Sequence, residues 1–71
     1  METNRTIQAL LMSYSTDKLI VEDGLEKAIN DKDKPLNDKL IEVKKLLGKL
    51  TTIEQSMAKL QTMLENNNNN N

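Results

Sequence analysis

The chain has no cysteine, histidine, tryptophan or phenylalanine, and Tyr14 is its one aromatic residue. Without cysteine there is no disulfide to staple a small fold. Without cysteine and histidine an ordinary zinc site is nearly excluded. The near-absence of aromatics leaves a core of Leu, Ile, Val, Met and Ala. That set suits helices packed on helices better than strands, which favour aromatic and β-branched residues. Proline occurs once, at Pro35, and glycine twice, at Gly24 and Gly48. Two isolated glycines cannot build a phosphate-cradling loop. The apolar runs are short, "ALLM" at 9–12 and "LIV" at 19–21, far below the ~20 residues that span a bilayer. The net charge of −1, from 10 basic and 11 acidic residues, provides no field to recruit nucleic acid or an anionic membrane. Near the N-terminus the only basic residue is Arg5, and no h-region follows it. No secretory signal is therefore expected, and a cytoplasmic location is.

These absences bound the answer tightly. A chain of 71 residues is at most one small domain. A single core of that size rarely supplies more than ~3–5 kcal/mol. With disulfides and zinc excluded, association with another chain is the remaining support.

What is present is heptad pattern. Leu36, Val43, Leu46, Leu50, Ile53, Met57, Leu60 and Leu64 follow alternating three- and four-residue steps, interrupted once at Lys39. That repeat predicts a coiled-coil helix over about 35–65. Leu40 and Leu47 lie beside the seam at e positions and widen its first half, as in a helix with more than one neighbour.

Residues 3–30 form a second, less regular segment. Ile7, Leu11, Tyr14, Val21, Leu25 and Ala28 fit one seam with Lys18 in a core slot, and Leu10 and Ile29 flank it. Met12, Leu19 and Ile20 fall off the stripe. Together with Leu40, Leu47 and Met63 they are the candidate partner contacts, because contiguous apolar surface on a small protein marks a contact site. "SYSTD" at 13–17 is a weak point, since Ser, Thr and Asp compete for backbone hydrogen bonds. One helix, kinked there or straight, is the expectation, over two short helices with Ser15 or Thr16 as the second N-cap.

The fold class that follows is all-α: an antiparallel helical hairpin completed by oligomerisation or a partner chain. Pro35 suits the first turn of the second helix, and residues 31–34 make a short corner, with Asp33 or Lys34 in the cap region. Helices of similar length would bring Leu25 level with Val43, Leu11 with Met57 and Ile7 with Leu60. Asn66 would cap the second helix, and the polar tract 66–71 reads as a disordered tail.

Three stretches invite a chemical reading, and each has a plainer one. From Asp31, "DKDKPLNDKLIE" puts Asp31, Asp33 and Glu42 at positions 1, 3 and 12 of a calcium loop. That loop needs an oxygen donor at position 5 and glycine at 6, where Pro35 and Leu36 stand; a helix start explains the same residues. Glu22 and Glu26 are carboxylates one turn apart, the ordinary make-up of a solvated face. Lys44, Lys45 and Lys49 form the densest basic cluster. No arginine lies beside them for bidentate base reading and no aromatic for stacking. No catalytic residue, cofactor, metal, nucleic acid or membrane insertion is expected.

Three functions remain. The first is an interaction module, a hairpin subunit, adaptor or co-chaperone that docks apolar faces on another protein. The second is a self-associating four-helix bundle with a structural role. The third is a small inhibitor or regulator of a larger enzyme. The layout over residues 3–65 resembles the hairpin co-chaperones and needle subunits of bacterial type III secretion systems. It is also similar to short coiled-coil subunits of eukaryotic cytoskeletal and membrane-tethering complexes. The likeness is one of architecture, and no residue role is carried over from it.

Overall fold

A computed structural model describes residues 2–69. Two helices, α1 (Glu2–Asn30) and α2 (Leu36–Asn69), fold back on each other through a five-residue corner. The result is an antiparallel hairpin measuring 55 × 14 × 12 Å. The described residues contain no strand.

The α1 helix runs without a break through Ser13–Asp17. Thr16 Oγ1 donates to the Met12 carbonyl oxygen one turn back, at 3.2 Å. This backbone contact absorbs the hydroxyl within the helix instead of diverting the chain. Thr51, Thr52 and Thr62 do the same in α2.

The corner is built from short local contacts. The Asp31 amide reaches back to the Ala28 carbonyl, and the Asp31 carboxylate accepts the Asp33 amide at 3.0 Å. This Asx turn is a side-chain substitute for a backbone turn. The Pro35 carbonyl accepts the Lys39 amide at 3.0 Å, the first bond of α2. Pro35 is therefore the N-cap and Leu36 the first helical residue, one position later than the sequence suggests. Asp38 lies in the first turn, where the helix dipole favours an acid.

The register differs from expectation by nearly a turn. Asn67 Nδ2 donates to Asn4 Oδ1, Lys18 pairs with Glu54, and a Cβ added at Gly24 would meet Leu46 Cδ1. On this register Leu11 lies level with Leu60 rather than Met57, and Ile7 with Leu64 rather than Leu60. The shift goes with an overhang, because α2 begins beyond the level at which α1 ends. The same overhang corrects the placement of Leu36, which is 69% exposed. At its level there is only corner, so the expected seam residue has no α1 side chain to meet.

Residues 66–69 continue helix α2 where the tail is expected to begin. Its last turns still have α1 alongside, as the Asn4–Asn67 bond shows, and asparagine costs a helix well under ~1 kcal/mol per residue. Asn70 and Asn71 lie outside the described residues.

Candidate contact faces

The heptad frame assigns each side chain to a side of the hairpin. In α1, Leu11, Lys18 and Leu25 occupy a positions and Ile7, Tyr14, Val21 and Ala28 occupy d positions. In α2, Val43, Leu50, Met57 and Leu64 are at a, and Leu46, Ile53 and Leu60 at d. Ile7, Leu11 and Ala28 are buried, and the remaining eleven seam residues just named are half-buried. Two helices shield one stripe of each other and no more, which is why the burial stops there.

The residues beside the seam form two faces. In an antiparallel pair the e rows border the seam on one side and the g rows on the other. Ile29, Leu40 and Leu47 lie on the e face, with Met12 and Leu19 in the b rows that flank it. Leu10 and Met63 lie on the g face, flanked by Ile20 at c. All eight are exposed, Met12 by 73% and Leu19 by 68%. The six candidate contacts therefore do not form one patch. Met12, Leu19, Leu40 and Leu47 share the e face, whereas Ile20 and Met63 belong to the opposite one. Leu19 and Ile20 are adjacent in sequence but one residue of helix, about 100°, separates their directions.

The g face carries an open groove of about 530 Å³. Ile20, Val21 and Ile53 line it, Gly48 leaves its edge low, and Asp17 and Lys49 stand at its rim. Ile41, at an f position on the back of α2, is 68% exposed and belongs to neither face. The f row of the heptad frame is the sequence signal that places it there.

The polar contacts are structural. Lys18, in its core slot, extends to Glu54 at 3.4 Å. Asp23 and Lys27 pair along α1 at 3.0 Å. Lys39 Nζ donates to the Ile29 carbonyl oxygen at 3.1 Å, closing the C-terminus of α1. Lys34 donates to Glu42 across the corner. That hydrogen bond holds the Lys34 ammonium above the ordinary lysine range; desolvation opposes it, and the charges of Glu42, Asp31 and Asp38 reinforce it.

The acids at calcium spacing have partners within the chain. Asp31 is turned to an amide and Glu42 to an ammonium. No group of three or more metal-ligating side chains occurs among the described residues. The basic cluster divides, with Lys44 in the b row beside the e face and Lys45 and Lys49, one turn apart, on the g face. No described helix is long and apolar enough to cross a membrane. No family model matches this chain, and neither a curated protein nor a solved structure matches it.

Proposed function

We propose that this chain is a non-enzymatic protein–protein interaction module, a helical-hairpin subunit that docks an apolar face onto a protein partner. One observation carries the reading. Ten large apolar side chains are exposed among the described residues, against three buried hydrophobic ones. A fold that shields so little of its apolar surface is incomplete as an isolated chain. The pairing of the corner carboxylates with backbone and lysine supports binding rather than chemistry.

The test is affinity capture with the full chain as bait, followed by reconstitution with the captured protein. Leu19→Glu should abolish the contact while circular dichroism keeps its helical signal. Equal loss of binding and helicity would place Leu19 in the fold and remove the reading.

A further inference from the structure

We propose that the partner on the e face is a second copy of this chain, the two hairpins forming a four-helix bundle with both corners at the same end. The proposal rests on the interaction reading and names its partner.

The first argument is area. The chain exposes 5652 Å². A compact monomer of 8.1 kDa exposes about 4,500 Å² on the usual surface-to-mass scaling. The excess, on the order of 1,000 Å², exceeds the ~800 Å² per partner that a standard stable interface removes. One hairpin face covered by one like hairpin accounts for most of it.

The second argument is complementarity of the flanking rows. The register set by Gly24 and Leu46 puts Arg5 level with Glu65, Met12 with Ala58, Leu19 with Thr51, and Glu26 with Lys44. Within one hairpin these b rows lie on opposite outer edges of the e face and do not meet. A two-fold axis along the hairpin's length sets α1 of one copy beside α2 of the other, and the rows then meet. Opposite charges face each other at both ends, and apolar or small residues face each other between. Charge matching of this kind fixes register and orientation.

The orientation follows from the same rows. With corners together, Ile29, Leu40 and Leu47 meet their own copies at the centre; Glu22 and Glu54 share that row, Glu54 with Lys18 as its partner. With corners at opposite ends, Ile29 and Leu40 would fall against Gln8 and Gln61. The corner-together bundle also keeps every adjacent helix pair antiparallel, as helix dipoles favour, and its interface is isologous and closed.

The experiment uses the full chain, whose lack of cysteine makes introduced thiols unambiguous. Sedimentation equilibrium should show a particle of twice the chain mass. Chains carrying Met12→Cys mixed with chains carrying Ala58→Cys should form a disulfide-linked dimer, whereas an Ile20→Cys and Thr52→Cys mixture, in the c rows that flank the g face, should not. Glu26→Lys should weaken dimerisation about tenfold, and adding Lys44→Glu to the same chain should restore it. These sites are exposed, so circular dichroism should show unchanged helicity. A dimer that cross-links on the g face, or ignores the charge swap, overturns the arrangement. A chain monomeric at every concentration overturns the second copy. If that monomer still captures a different protein through Leu19, the interaction reading stands without it; if Leu19→Glu changes no capture, both fall.

Discussion

Lys39 Nζ donates to the carbonyl oxygen of Ile29 at 3.1 Å, so a side chain from the second turn of α2 closes the end of α1. Lys39 and Lys18 look alike in the sequence, each a lysine in an apolar slot. The structure gives them different work. Lys39 satisfies a helix-terminal carbonyl that has no intrahelical partner. Lys18 interrupts the middle of the seam and reaches out to Glu54.

Replacing each lysine should therefore have a different effect. Lys18→Leu exchanges a half-exposed ion pair, worth ~0–1 kcal/mol, for partial burial of a leucine, worth ~1.5–3 kcal/mol when complete. The net expectation is about 1 kcal/mol of stabilisation, or roughly 4–8 °C in Tm for a domain of this size. Lys39→Leu loses an exposed hydrogen bond that water can replace and lies level with the corner, where little apolar surface meets it, so it should change stability by less than about 0.5 kcal/mol. Thermal melts of the two variants at equal concentration compare them directly.

The seam itself is tested by Leu11 and Leu36. Leu11 is 9% exposed and Leu36 69%. Leu11→Ala should cost about 2–5 kcal/mol, enough to unfold a chain whose core supplies ~3–5 kcal/mol. Leu36→Ala should cost under about 0.5 kcal/mol. Equal losses in urea melts would return Leu36 to the core.

That contrast also marks how far the sequence can be read. The helices, their antiparallel pairing and the seam from Ile7 to Leu64 are legible because a heptad is a local property of the chain. Register is not local. It depends on how many residues the corner consumes, and the Asp31 turn with Pro35 as N-cap consumes five rather than four. It depends too on the path the corner takes, which lets α2 overhang α1, and the levels of Leu36, Leu11 and Ile7 follow from that overhang. The grouping of the apolar surplus into two faces was likewise hidden by adjacency. Leu19 and Ile20 read as one patch until the heptad rows of both helices are laid side by side.

Gly24 and Gly48 should both be improvable, with different side effects. Both lie inside helices, where glycine costs about 1 kcal/mol relative to alanine. A Cβ at Gly24 meets only Leu46 Cδ1, at 4.0 Å, and one at Gly48 meets nothing within 4 Å. Each alanine variant should gain about 1 kcal/mol. Gly48→Ala alone also raises the edge of the groove at Ile20 and Ile53, so any ligand of the g face should bind it more weakly. Calorimetry of both variants separates backbone stabilisation from groove filling.

The Lys34–Glu42 pair predicts a one-sided pH dependence. The Lys34 ammonium is held above the ordinary lysine value chiefly by the hydrogen bond it donates to Glu42. A raised folded-state value means that the folded chain binds this proton more tightly than the unfolded one. The resulting stability is fully present below the unfolded value, about 10.4, and is lost as pH rises through the folded value. Glu42→Gln removes the charged acceptor. The gap in melting temperature between wild type and Glu42→Gln should therefore stay level from about pH 7 to 9 and close above about pH 10.4. Calcium should not change either melt, because the Glu42 and Asp31 carboxylates are engaged by Lys34 and the Asp33 amide. A gap that persists at high pH would show that Glu42 acts through packing in the corner rather than through the Lys34 ammonium.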